Sequence, residues 1–224
     1  MKTFKTFIIE EKQTLRSLQK INTDRHGELD DLSNKLHKVT ASKLNVSDRA
    51  NLKHYTKGDD DKEESYCTAM NKSLNQGEPL HGRDILVHDT IMKNAKSSGE
   101  ELHLFSGVHQ DFKKLATKTH GNTFFMPAHT SMTHSGKIAS YFSEDKSNKY
   151  TTDNRRIHNI MHVHIKPIDK LLHISKFSAM PWEHETILPA KTHLKYHGTD
   201  TYKPINIHGQ GVMNIHHFTV HSQE

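Results

Sequence analysis

Cysteine is almost absent from this chain: Cys67 is the only one in 224 residues, so no intrachain disulfide can form. A lone thiol suits a reducing compartment better than a secreted one. Apolar residues are also scarce, at 33%, and aromatics make up only 7%. With a mean hydropathy of -0.80, that composition implies a thin core and long polar loops. No run approaches the ~20 apolar residues that span a bilayer, so no membrane partner is expected. The start "MKTFKTFIIEEKQ" has lysines and a short apolar stretch, but Glu10 and Glu11 cut it well short of a secretory leader's core. A cytoplasmic location in the producing or infected cell is the expectation, with carriage in a virion left open.

What the chain does have is charge and histidine. A net charge of +5 favours acidic partners in general. Lys and Arg are scattered rather than gathered on a stripe, so nucleic acid stays open as a partner but is not favoured. Histidine reaches 21 residues. "HNIMHVHIK" (His158, His162, His164) and "NIHHFTVH" (His216, His217, His221) would chelate a metal only if they converged, and no C-x-x-C, H-x-x-x-H or H-E-x-x-H spacing accompanies them. No metal site is expected. His162 and His164 alternate with Val163 and Ile165, as on a half-buried strand with a polar outer face.

The first part of the chain has helical periodicity. Ile8 to Ile21 carries apolar residues near helical spacing, and "ELDDLSNKLHKV" puts Leu29, Leu32, Leu36 and Val39 on one stripe. Ser47 is a candidate N-cap for "DRANLKHYT", the acidic "KGDDDKEES" reads as a loop, and "YCTAMNKSLN" and "RDILVHDTIMKNAK" as two further helices. After Gly99 the character changes to short strand-like runs: "LHLFSG", "TFFMPAH", "IMHVHI", "LLHIS", "ETILPA", "THLKYH" and "VMNIHHFTVH", with one helix, "GKIASYF", among them. Helices gathered before a mainly antiparallel sheet make an α+β fold. Residues 1–46 are read as a helical extension and 47–224 as the domain proper.

One short stretch carries chemistry. In "MPWEHETILPAKTHLKYHG", Glu183 and Glu185 straddle His184 directly before an apolar run. If the stretch is extended, the two carboxylates share a face about 7 Å apart and resist joint ionisation.

Four fragments in order resemble the bacterial exoenzyme and toxin type of ADP-ribosyltransferase. "ANLKHYTKGDDDKEESYCTAMNKSLN" is similar to the family's Tyr-Thr pair (Tyr55, Thr56) followed by a helix bearing Tyr66 and Asn71. "IMKNAKSSGEELHLFSGV" resembles its helix, polar gap and first strand, which ends aromatic-Arg-Gly. "TFFMPAHTSMTHSGKIASYF" resembles its second strand, Ser-Thr-Ser turn and helix, and "SAMPWEHETILPAKTHLKY" its Glu-x-Glu turn and strand. The form looks closest to phage-encoded members. The resemblance implies an α+β fold with the N-terminal helices packed on a two-sheet, mainly antiparallel β core.

It also implies a reaction, the transfer of ADP-ribose from NAD, with nicotinamide released, to a host or target protein, at arginine by the Glu-x-Glu pattern. NAD is then a substrate. Glu185 would hold the ribose and stabilise the positive charge developing on it. Glu183 would orient or deprotonate the acceptor, Trp182 would contact the target protein, and Ser131 would orient Glu185. In "HTSMT" Met132 and Thr133 replace the usual threonine and serine. Gly107 is retained, and its missing side chain would let nicotinamide approach the backbone.

The main departure is Ser106, which stands where the family places the arginine that grips the NAD diphosphate. A hydroxyl makes no charged bidentate contact. A charged hydrogen bond contributes roughly 1.5–3 kcal/mol, so its loss weakens NAD binding by about one to two powers of ten. Arg83, His103, His109, Lys113 and Lys114 are the cations that could compensate. A second reading stays open, in which the protein is a transferase-shaped binding or virion protein that has lost catalysis.

Overall fold

The computed structural model describes residues 26–57, 66–108, 121–145, 156–206 and 210–223. The helix expected over Ile8 to Ile21, most of the "KGDDDKEES" loop, His109, Lys113 and Lys114 lie outside the described residues. Helices α1 (His26–Thr40), α2 (Val46–Tyr55), α3 (Tyr66–Gln76) and α4 (Arg83–Asn94) come first. Then follow β1 (Lys96–Ser97), β2 (Leu102–Gly107), β3 (Thr123–Met126), β4 (Thr130–Thr133), α5 (Gly136–Asp145), β5 (Arg156–Ile165), β6 (Lys170–His173), β7 (Glu185–Leu188), β8 (Thr192–Asn206) and β9 (Gln210–Gln223). Among the described residues no helix is long and apolar enough to cross a membrane.

The expected two-sheet core is corrected to one nine-stranded sheet in the order β1-β6-β7-β4-β2-β5-β9-β8-β3. The reason is a single bridge, Phe105 opposite Thr133, which joins β2 to β4 and so fuses two longer ladders. All strand pairs are antiparallel except β5 with β9. The two halves still share a core: Leu102, Leu104, Val163 and Phe218 from one half meet Leu171, Leu188 and Met132 from the other in one apolar cluster.

Strand alternation then builds two further layers. Leu171 of β6 enters that shared core, whereas its neighbour Leu172 turns to the other face and meets Leu52, Tyr55, Met70, Val87 and Ile91 from α2, α3 and α4. On the far half, α5 lays Ala139 against Phe105, Ile160 and Ile215. Prolines end two of the strands where no ladder donor exists, Pro127 after β3 and Pro189 after β7.

Three local expectations shift. Asn45, not Ser47, caps α2, its side chain accepting from Asp48 N at 2.8 Å. Val39 is 45% exposed, because α1 is turned so that Ser33, Leu36 and Thr40 face the sheet. There Thr40 Oγ1 accepts from His173 N at 3.0 Å and Ser33 Oγ pairs with His173 Nε2 at 2.7 Å. The "HTSMT" stretch is not a turn but strand β4, paired along its length with β7.

The histidines divide between the two faces of the sheet in hydrogen-bonded chains. His217 Nε2 lies 3.1 Å from Asp200 Oδ2, His162 bridges His217 and His103 at 2.9 Å each, and His164 Nε2 meets Glu101 Oε1 at 2.6 Å. Under the helices, Thr186 Oγ1 links His173 and His134. His129 Nδ1 accepts from Ala190 N at 2.9 Å, so its Nε2 carries the proton toward His88 Nδ1. Burial is the main force that lowers the basicity of His129, His134, His162 and His173.

Candidate active site

Register places the first two groups. Thr133 pairs with Glu185 and Ser131 with Ile187 across the antiparallel β4–β7 ladder, so Ser131 and Glu185 are diagonal neighbours on one face. Ser131 Oγ donates to Glu185 Oε1 at 2.7 Å. Ser178 Oγ donates to the other oxygen, Oε2, at 3.4 Å. Glu185 is only 7% exposed. Burial raises its carboxyl above the ordinary carboxylate range, and the hydroxyls of Ser131 and Ser178 pull it back toward the charged form.

Glu183 arrives differently from the extended stretch expected. Pro181–Glu183 forms one 3-10 turn and His184 takes a left-handed conformation, φ 48 and ψ 45, before β7 begins at Glu185. Pro181 sets the turn, since its fixed φ suits a first helical position. The two carboxylates therefore are not strand neighbours, yet they line the same cleft. Burial, then the neighbouring Glu185, pushes the Glu183 carboxyl up to about 7. Trp182, between Pro181 and Glu183, stands 58% exposed, and Met180 beside it 43%.

The cleft has a volume of about 270 Å³. Ser106 and Gly107 from β2, Ser131, Met132 and Thr133 from β4, and Glu183 and Glu185 form one side. Thr56, Cys67 and Thr68 from the helical layer and Phe142 from α5 close it. Five of the six expected site residues thus converge, and Trp182 lies outside the cleft on the adjoining turn. Among the described lining residues the charged side chains are the two carboxylates. Of the cations considered, His103 is turned away from Ser106 by strand alternation and bonds His162, and Arg83, at the start of α4, does not line the cleft.

Gly107 has a packing role that sequence reasoning missed. A Cβ there would stand 2.5 Å from Ala139 O, with Ser143 N closer still, so the missing side chain admits the backbone of α5. Gly107→Ala is expected to cost about 2–3 kcal/mol through overpacking, read as a lower melting temperature. Cys67, Thr68 and Phe142 carried no motif that marked them. Thr56 was visible only as half of the Tyr-Thr pair.

The sequence matches no protein-family model and no curated protein. The fold does match solved structures. Plx2a, an ADP-ribosyltransferase toxin from Paenibacillus larvae, superposes with a TM-score of 0.64 at 12% identity, covering 88% of this chain and 96% of that one. C3stau2 from S. aureus, solved with NAD, gives 0.61 at 11% identity over 89% and 97% of the two chains. The ADP-ribosyltransferase Vis, solved in complex with agmatine, gives 0.56 at 11% identity over 89% and 87%. Across nearly the whole length of these proteins, the chain has the fold of bacterial ADP-ribosyltransferase toxins.

Proposed function

We propose that the protein is a mono-ADP-ribosyltransferase that moves ADP-ribose from NAD to a protein acceptor at arginine. The observation that carries this reading is the buried Glu185, held by Ser131 at 2.7 Å in a cleft that Glu183 shares. Breaking the bond between nicotinamide and ribose leaves positive charge on the sugar, and a fixed carboxylate in a water-poor site meets that charge best. Ser131 stabilises Glu185 in the charged form that this role needs. NAD as the donor is supported by the S. aureus neighbour, whose structure contains it. At about 270 Å³ the cleft is slightly below the ~300–1,000 Å³ usual for small-molecule sites. It suits the nicotinamide and its ribose, with the remainder of NAD over the rim.

Glu183 sits one turn outward and takes the acceptor's proton as the arginine nitrogen attacks the ribose carbon. Agmatine, bound by Vis, presents the same guanidinium group as arginine, which supports that acceptor chemistry. Trp182, exposed on the turn, supplies apolar area against the target protein. With a carboxyl at about 7, Glu183 is an effective base only as pH rises through neutrality. Transfer to protein should therefore climb across pH 7, and Glu183→Gln should lower it about 100-fold while slow NAD hydrolysis changes by less than about threefold. Equal losses in both reactions would remove Glu183 from acceptor activation.

The direct test is mass spectrometry of a cell lysate incubated with the protein and NAD. A protein gaining the mass of one ADP-ribose, with nicotinamide released, gives both activity and acceptor. Ser106, in place of a charged diphosphate contact, and the altered triad, with Met132 and Thr133 after Ser131, favour a binding protein without catalysis. Calorimetry separates the two, since no heat at millimolar NAD would favour the binding protein.

A further inference from the structure

We propose that Ser178, Tyr55 and Asn71 are positioning residues that brace both carboxylate oxygens of Glu185, an inference that rests on Glu185 being the group that meets the reacting sugar. Two hydrogen-bonded arms reach this one acid, and each has a direction imposed by its ends.

The first arm starts at Asn71 on α3. Its amide nitrogen can only donate, and it gives a hydrogen bond to the Tyr55 hydroxyl at 3.3 Å. Tyr55 is thereby left to turn its own proton toward Ser131 Oγ, 3.5 Å away. Ser131 in turn donates to Glu185 Oε1 at 2.7 Å. With the Asn71 amide nitrogen donating at one end and the Glu185 carboxylate accepting at the other, the protons along the chain run in one order. Burial, with Cys67 and Glu185 nearby, raises the Tyr55 phenol above its ordinary value, so it remains a donor at any working pH.

The second arm starts on the main chain. Met180 N donates to Ser178 Oγ at 3.0 Å, which directs the Ser178 proton to Glu185 Oε2 at 3.4 Å. Ser178 is 7% exposed, so water offers it little competition. The two arms share a frame, because Ala179 N donates to Thr56 Oγ1 at 2.8 Å and ties the Ser178–Met180 segment to the residue after Tyr55. That segment leads directly into the turn that carries Trp182 and Glu183. An acceptor that moves the turn therefore reaches Glu185 through Ser178.

The test is a carbon-13 NMR titration of the Glu185 carboxyl, its signal identified with Glu185→Gln, in the parent, Ser178→Ala, Ser178→Thr and Tyr55→Phe proteins, with NAD turnover followed in parallel. Removing a donor from a buried carboxylate should raise its midpoint by about one pH unit in Ser178→Ala and about half a unit in Tyr55→Phe. The acid limb of kcat/KM should move up with it, kcat falling about tenfold while KM for NAD stays within about threefold. Ser178→Thr should restore the parent midpoint. Unchanged midpoints in both Ser178→Ala and Tyr55→Phe overturn the proposal, even if melting temperatures fall, because a purely structural role would lower only those. A raised midpoint in a protein that never turns over NAD keeps the brace and sinks the transferase reading instead.

Discussion

Glu185→Gln is expected to abolish transfer of labelled ADP-ribose, lowering it about 1,000-fold or more, with the fold intact. The magnitude follows from replacing a full charge, in a site that excludes water, by a neutral amide of the same shape; losing even one preorganised dipole in such a site costs ~100- to 1,000-fold. Stability should move the other way or not at all. Glu185 is 7% exposed and burial opposes its charge, so the amide relieves a desolvation cost while still able to pair with Ser131. A melting temperature equal to or above that of the parent, together with lost transfer, is the expected pair of results. Transfer equal to the parent's would remove Glu185 from the chemistry.

Acid should unfold this protein sharply just below neutrality. Burial pushes His129 and His134 down to about 3 and His173 to about 2, and it holds His162 well below its ordinary 6.5. Once unfolded, each regains an ordinary value near 6.5 and takes up a proton that the folded form refuses. Below that pH the unfolded chain binds more protons, so stability falls as pH drops, by roughly 1 kcal/mol per group per pH unit. Four such groups remove on the order of 5 kcal/mol by pH 5.5, comparable with the whole stability of a typical domain, ~5–15 kcal/mol. Denaturant midpoints measured from pH 8 to 5 should therefore stay level above about 7 and drop steeply between 6.5 and 5. A flat profile down to pH 5 would mean that these imidazoles are already charged in the folded state. Within the acid window, His173→Gln should flatten the slope by about one proton, since an amide can replace both imidazole hydrogen bonds, to Ser33 and Thr186, without titrating.

The site was legible where its chemistry is written in short fragments. "HTSMT" and "EHET" marked Ser131 and Glu185 although 54 residues separate them, because both fragments resemble one family's pattern and the flanking strands follow alternation. Their local conformation was less legible. The sequence around Ser131 suggests a turn, but pairing with β7 makes it a strand, and Pro181 with the left-handed His184 replaces an expected strand by a 3-10 turn. Backbone preference there is weaker than the hydrogen bonds that neighbouring segments supply.

Helix phase shows the same limit. Leu29, Leu32, Leu36 and Val39 form a reasonable stripe, yet α1 turns so that Thr40 and Ser33 reach His173 while Val39 faces out. Tyr55, Asn71 and Ser178 could not be linked to Glu185 from sequence, because each contact joins a different element and no spacing relates them. The histidines were countable, but which of them are neutral depends on what covers them.

By itself, the order of residues determined the α+β class, the strand alternation that leaves Val163 and Ile165 inward, and the identity of the acid and hydroxyl that meet in the cleft. These follow from periodicity and side-chain chemistry, which are local. Tertiary structure alone decided that two ladders fuse through Phe105 and Thr133, that Gly107 yields its space to α5, and that Glu183 and several histidines leave their ordinary protonation ranges. Each of those depends on desolvation or close approach by segments distant in the chain, and no stretch of sequence contains its own dielectric surroundings.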